Sequence, residues 1–565
     1  MRTETLIKTL SDGLYRLACG SIRILALLFT GLLFVSGFLF TCYADDMVSQ
    51  RVLTAVDNPL LQILGAGLGI SILLLLLRPL VNTNPKRSKR IVQLCVFGWI
   101  MLLGGILVLF GRTAPAADAW SVYSAAESMA LGDTSVIHPT DSYLSYYPQQ
   151  VGLMAFFELI IRLWKLLPTD LHAYHFIKCL YVVLTCVIVY YQSLCVQLLW
   201  EDERIDCVYL ILAGGNLPLI MYSSFVYGEI PSFASLSIGL YYLLKILKSP
   251  DAPTGVQDIQ AKKRNFVISA AVSLTALTLS VMLRKNSLVI IIAVVLVTLL
   301  EGILTGQRGR RYGLFLFALL CVICSLSILP ATQRFYERRA GSTLKSGVPA
   351  MAYFAMGMQE SSRGNGWYNG FNFDTYQETG MDTAATVALS RKYIAERAEY
   401  FRGHLDAAAG FYWGKYLSQW ADGTYASRQA TLATFGGRLP AVESVYSGEC
   451  SRLYIGYCNI YQNIIYLGSL LCVILTLPRR EKRPAYKEPS EENAVKDNPS
   501  PNLRQPLYMW LGVIGALGGF LFHMLWEANA RYIFLYSLLL LPYAARGIVS
   551  STSFLEGFRK NNTAR

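Results

Sequence analysis

Charge is what this sequence has least of. Only 15% of its 565 residues are Asp, Glu, Lys or Arg, against 54% hydrophobic, which excludes a solvated or disordered chain. Histidine is also scarce. The five present bring no second His or Cys at metal-ligand spacing, so no metal site is expected. There is no Walker loop, no dinucleotide fingerprint and no nucleophile elbow. Most of the twelve cysteines lie inside apolar runs, where free Cys behaves as a small hydrophobe; only Cys450 and Cys458 stand where an external pair could form. Acids are fewer than bases, and the net charge is +13. That excess does not read as a nucleic-acid surface, because it falls in short blocks between apolar runs: "NPKRSKR" (84–90), "AKKRN" (261–265), "GQRGRR" (306–311) and "RREKRP" (479–484). Such blocks mark cytoplasmic loops.

Apolar runs are what the chain has in abundance. They fall near 23–43, 59–80, 91–111, 150–168, 171–199, 206–226, 231–248, 265–283, 286–304, 312–330, 454–477, 507–527 and 530–547. Most are long enough to cross ~30 Å of hydrocarbon. The first run is too long for a signal core and lacks a small-x-small site, so it reads as a retained span. Basic residues Arg2, Lys8, Arg16 and Arg23 place the N-terminus inside. If all thirteen runs crossed, the later basic blocks would lie outside. The weakest is 150–168, where Glu158, Arg162 and Lys165 share a helical face, with Phe156, Phe157, Ile160, Ile161 and Trp164 largely elsewhere. That pattern suits an amphipathic helix lying in the interface.

The expectation is an all-α polytopic membrane protein of about 12 transmembrane helices, with an interfacial helix and a mixed extracytoplasmic segment. Its parts are three N-terminal spans (1–111), an outer loop with the interfacial helix (112–170), central spans (171–330), an extracytoplasmic segment (331–453), a span (454–477), a cytoplasmic linker (478–506), and two last spans with a cytoplasmic tail (507–565). Both termini are expected in the cytoplasm.

This arrangement gathers a few ionisable residues at the outer rim, where charges are functional candidates by default. Asp118, in "GRTAPAADAW", is either a helix cap or a carboxylate able to take a proton from an acceptor hydroxyl. Asp45 and Asp46, in "YADDM", belong to a loop too short to wall a cleft. Glu229, in "VYGEIPS", suits a helix first turn. Arg284 and Lys285, in "LRKNS", either snorkel or meet an anion. Glu527 and Arg531, in "LWEANARYIF", have the spacing of an ordinary helical ion pair, and Tyr532 that of an aromatic belt. His138 and Tyr147, in "VIHPTDSYLSYYPQQVG", read first as loop packing.

In order, the pieces "ADAWSVYSAAESMALGD", "YYPQQVGLMAFFELIIRLW", "SSFVYGEIPSFASL", "LRKNS" and "LWEANARYIFLYSLLLLPY" resemble the GT-C superfamily of polyprenyl-phosphate-sugar-dependent glycosyltransferases, which holds protein O-mannosyltransferases and bacterial aminoarabinose transferases. Tyr147-Pro148-Gln149 stands where that family usually has Tyr-Pro-Pro, and Ala119 follows Asp118 where O-mannosyltransferases have a second acid. The resemblance implies a bacterial plasma-membrane enzyme working at the outer face by inverting displacement, with no required cofactor. Its partners would be a polyprenyl-phosphate-linked sugar, a glycan, lipid or protein acceptor, and membrane lipids. Asp118 would be the base. Arg284, Lys285 and Arg531 would bind the donor phosphate, and Glu229, Glu527, Tyr147 and Tyr532 would orient sugar or acceptor. The aromatic, polar stretches "MGMQESSRGNGWYNGFNF" and "KYLSQWADGTY" suit carbohydrate contact. Two competing classes are a flippase or transporter, which would want charges at mid-membrane, and a non-catalytic scaffold, for which the rim carboxylates would be dispensable.

Overall fold

A computed structural model describes residues 2–46, 48–81, 85–140, 142–169, 171–248, 256–305, 307–476 and 506–563. Residues 478–505 of the expected linker, and the side chains of Asp45 and Asp46, lie outside the described residues. The chain is an all-α polytopic membrane protein: among the described residues eleven helices are long and apolar enough to cross a bilayer. The 206–226 run is not among them. It breaks into helices Glu203–Gly215 and Leu217–Tyr222 because Asn216 accepts a hydrogen bond from Leu219 N at 3.0 Å and Pro218 has no N–H to continue the ladder. The pair still covers the depth of the bundle. It starts beside Lys89, 3.4 Å from Glu203, and ends with Tyr222 stacked 4.9 Å from Phe534 and Met221 packed on Ile106 and Leu107.

Two further expectations are corrected. The first apolar run does not stay helical to residue 43: its helix ends at Leu39, and Phe40–Asp46 pairs antiparallel with Arg51–Val56 as a hairpin. Thr, Cys and Tyr favour strand as readily as helix once the chain leaves the apolar stretch. The segment 331–453 is not mixed. Among the described residues it holds helices and single bridges but no named strand. Helix Arg308–Ala340 runs ten residues past the expected span; its 33 residues measure about 50 Å, well beyond the hydrocarbon thickness. Cys450 and Cys458 are both free.

Centrality within the bundle follows burial. In Pro59–Leu77 only 17% of the span is buried inside the protein, whereas 78% of Glu229–Lys248 and 89% of Ala530–Thr552 are. The two most enclosed spans therefore begin at Glu229 and at Ala530, one residue before Arg531. Gly468 and Gly547 let the last span approach Glu449–Thr476 closely, since a Cβ on Gly547 would sit 1.8 Å from Gly468 O.

Candidate active site

The loop that brings Asp118 to the bundle is built under strain. Arg112 and Ala117 have φ of 45° and 46°, a left-handed conformation that costs a non-glycine residue about 1 kcal/mol or more. The loop is held by residues of the 331–453 segment beyond Ala430: Phe435 N donates to Arg112 O at 2.8 Å and Ala114 N to Ala433 O at 2.8 Å. Asp118 then falls in the first turn of helix Ala117–Leu131, exposed, while Ala116 is the N-cap and no side chain caps it. The capping alternative for Asp118 is therefore not the role it takes. Its carboxylate bears on the phenols of Tyr143, Tyr147, Tyr227, Tyr353 and Tyr368, whose ionisation is pushed up first by burial and then by neighbours that include Asp118.

Across from it lies a carboxylate shared by two arginines. Glu229, buried, has its Oε1 2.6 Å from Arg284 Nη1 and 3.5 Å from Arg531 Nε. Its Oε2 has no hydrogen-bond partner among the described residues. Both guanidinium groups sit against rings: Arg284 is 5.8 Å from Tyr227 and 5.7 Å from Tyr532, and Arg531 is 5.6 Å from each of the same two rings. Gln150 donates to the Tyr227 hydroxyl. A cation between aromatic faces keeps its planar donors aimed while losing water.

Glu527 completes the group. The expected pairing with Arg531 gives way to Glu229, and Glu527 Oε1 instead accepts from the Tyr532 hydroxyl at 3.2 Å. Burial raises the Glu527 carboxyl to about 7, with Asp118 adding to the rise and Arg531, Tyr532 and Arg363 opposing it. It is thus near half-protonated at neutral pH.

The turn carrying Glu527 is clamped by the segment 357–369. Ala528 N donates to Gly366 O at 2.8 Å, Trp526 stacks on Tyr353 at 5.2 Å, and Lys415, fully buried, donates to Trp526 O at 2.7 Å and to Gly357 O. Gly357 and Gly366 are required there: a Cβ on Gly357 would meet Leu525 O at 2.6 Å, and one on Gly366 the Lys415 chain at 2.7 Å. Burial lowers the Lys415 ammonium to about 7, against the opposing pull of Glu527. Hairpin and clamp also meet, through Val52 N donating to Arg363 O at 2.8 Å.

The structure thus brings together Asp118, Tyr147, Glu229, Arg284, Glu527, Arg531 and Tyr532. It does not include Lys285, which opens the turn Lys285–Ser287 as an exposed residue with no ion pair among the described residues. Arg284 is extended (φ −156°, ψ 111°), and consecutive side chains on extended backbone diverge. His138 is a packing residue of its loop, its Nδ1 2.8 Å from Thr140 O. Among the described residues no group of His, Cys, Asp and Glu is arranged to hold a metal ion. Sequence reasoning passed over Tyr143, Tyr227, Tyr353, Tyr368, Arg363 and Lys415. None was given an individual role, although Tyr227 stands two before Glu229, Arg363 and Tyr368 fall in "MGMQESSRGNGWYNGFNF", and Lys415 opens "KYLSQWADGTY".

No protein-family model matches the chain, and no curated protein does. Among solved structures the chain is similar to the archaeal oligosaccharyltransferase AglB from Archaeoglobus fulgidus in complex with an inhibitory peptide and a dolichol-phosphate. Identity is 12% and the TM-score 0.38, over 84% of this chain and 52% of that one. The chain spans about half the length of that protein.

Proposed function

We propose that the chain is a membrane glycosyltransferase that moves a sugar from a polyprenyl-phosphate donor to a hydroxyl-bearing acceptor. The observation that carries this reading is the pairing of an exposed carboxylate, Asp118, with two ring-bounded arginines around a buried Glu229. Asp118 takes the proton of the acceptor hydroxyl while that oxygen forms a bond to the anomeric carbon. The bond from the anomeric carbon to the phosphate oxygen breaks on the opposite face, and its electron pair leaves with the polyprenyl phosphate. Configuration at the sugar is inverted. Arg284 and Arg531 receive the leaving charge, and pre-aimed donors in a partly dry site are worth more than in water. Glu229 fixes their positions. Glu527, Tyr147 and Tyr532 orient sugar hydroxyls, and the Tyr353, Tyr368 and Trp526 rings wall the site. In this reading the rim bearing the site faces out of the cell, residues 150–168 lie in the membrane surface, and the basic turns face the cytoplasm.

The test is transfer in vitro. The purified chain, given a radiolabelled polyprenyl-phosphate sugar and lipid or glycan acceptors, should release polyprenyl phosphate together with glycosylated product. In a strain lacking the gene the decoration should vanish while the donor accumulates on the outer leaflet. Donor confined to the inner leaflet of that strain would identify a flippase and overturn the proposal.

A further inference from the structure

A second cationic site lies at the other end of helix Ala117–Leu131, roughly 20 Å from Asp118 along its 15 residues. It is a groove of about 510 Å³ lined by Ala331, Arg334, Phe335, Arg338 and Arg339. These residues form the last turns of helix Arg308–Ala340, past the expected span 312–330. Rows four apart set Arg334 over Arg338 and Phe335 over Arg339. Arg334, Arg338 and Phe335 are exposed, Phe335 by 61%. Neither Arg334 nor Arg338 has an ion pair among the described residues. The nearby acids are already engaged: Glu337 accepts from Gln333 Nε2 at 3.0 Å and Leu344 N at 2.9 Å. Glu158 accepts from Arg162, Arg339 and Tyr336.

The helix tied to this groove carries uncovered apolar side chains. On helix Val151–Trp164 and just past it, Leu159, Leu163 and Leu166 are 57%, 55% and 79% exposed, a row no soluble surface would favour. The same helix is tied to the groove through Glu158. Two guanidiniums with no ion pair among the described residues line one groove with an exposed aromatic ring, on a helix longer than the hydrocarbon is thick, and the helix tied to it carries three exposed leucines. That combination fits a ligand with an anionic head and an apolar tail.

The geometry points to a lipid-phosphate site at this groove, separate from the reaction centre: Arg334 and Arg338 hold the phosphate of a membrane lipid whose chains lie against Phe335 and the Leu159–Leu163–Leu166 row. Arg339 is not free to contribute fully, since Glu158 and Met129 O hold it in place. The inference is independent of glycosyl transfer.

Native mass spectrometry of the full chain in neutral detergent, titrated with phosphatidic acid as the probe, tests it. Arg334→Gln/Arg338→Gln should weaken binding about 10-fold or more, while phosphatidylcholine binds poorly to either protein. The matched charge loss Arg391→Gln/Arg402→Gln, at exposed positions elsewhere, should leave phosphatidic acid binding unchanged. Competition by millimolar inorganic phosphate would identify free phosphate as the ligand source, and its absence would identify the lipid. Equal weakening by both double variants would mean diffuse attraction, and an unaffected Arg334→Gln/Arg338→Gln protein would mean no site; either result overturns the inference.

Discussion

Twice in this molecule a buried glutamate sits between two arginines, and the two clusters do opposite things with the same groups. At Glu158 the account is closed. Oε1 takes Arg162 Nε at 2.7 Å and Arg339 Nη1 at 2.6 Å, Oε2 takes the Tyr336 hydroxyl at 2.5 Å, and both arginines use a remaining nitrogen on Met129 O, at 2.8 and 2.9 Å. Burial pushes the Glu158 carboxyl up, yet the bonds from Tyr336, Arg339 and Arg162 outweigh it and hold the group below its ordinary value. This is a clamp joining three helices through the carbonyl end of one of them, where cations are favoured. At Glu229 the account is open. Arg531 Nε makes no hydrogen bond among the described residues, and both arginines face rings rather than carbonyls. Such a cluster retains binding capacity for an anion, and the lesson is that donors left over, rather than the presence of charge, separate a site from a strut.

The largest effect should come from removing the strut. Glu158→Ala leaves two arginines facing each other over Met129 O, which for a buried pair costs about 3 to 5 kcal/mol. Because Arg162 and Arg339 are 46% and 30% exposed, water screens them and about 2 to 3 kcal/mol is expected. Thermal unfolding in detergent should show the loss. Glu229→Gln should cost less than Glu158→Ala because the amide keeps the side chain's shape and an acceptor oxygen toward Arg284, and equal destabilisation of the two variants would make the Glu229 cluster a strut as well.

Next in size is Arg284→Gln. Losing one charge-assisted contact to the leaving phosphate should reduce donor use about 30-fold, roughly 2 kcal/mol, and thermal stability should fall with it, because buried Glu229 keeps only its longer contact to Arg531. Lys285→Gln, one residue away, should change donor use by less than about 2-fold because Lys285 is exposed and makes no ion pair among the described residues. If the Lys285 variant loses as much as the Arg284 variant, the turn has been assigned the wrong cation.

The smallest effect is a slope with pH. The Glu527 carboxyl is raised to about 7, by burial first, so the folded state favours its neutral form. That contribution to stability is fully present below the ordinary value of 4.5 and is lost as pH rises through 7. Between those values the native chain binds more protons than the unfolded one, and stability falls by no more than about 1.4 kcal/mol per pH unit. Glu527→Gln should flatten this part of the pH–stability curve. An unchanged slope would mean that the carboxylate ionises normally.

The spans were legible because hydrocarbon imposes length and composition together, and Asp118, Glu229, Arg284 and Arg531 were legible because charge at a membrane rim is costly. What escaped has physical causes. Asn216 and Pro218 interrupt a run that hydropathy alone treats as continuous. "FTCYADD" pairs with residues beyond a turn, information no window over the first run contains. Lys285 was grouped with Arg284 by adjacency, although extended backbone sends neighbours apart. Arg363 and Lys415 fall in stretches that suited carbohydrate contact as a whole; Lys415 gains its role by donating to Trp526 O and Arg363 by its charge on Glu527, partners more than a hundred residues away. On helix Val151–Trp164, Glu158 was expected on a solvated face, but Tyr336 and Arg339, supplied by a helix that outruns its span, draw it inside.

The central claim is that Asp118 is a base and not a fixture of its helix. Asn matches Asp in size and in local hydrogen bonding but takes no proton at neutral pH. The most direct measurement is single-turnover transfer from a polyprenyl-phosphate sugar by purified Asp118→Asn protein, with donor binding and unfolding temperature followed on the same sample. Transfer should fall by about 100-fold or more while binding and unfolding stay at their wild-type values. A variant that binds donor and still transfers sugar at the wild-type rate would contradict the account and leave Asp118 without a catalytic role.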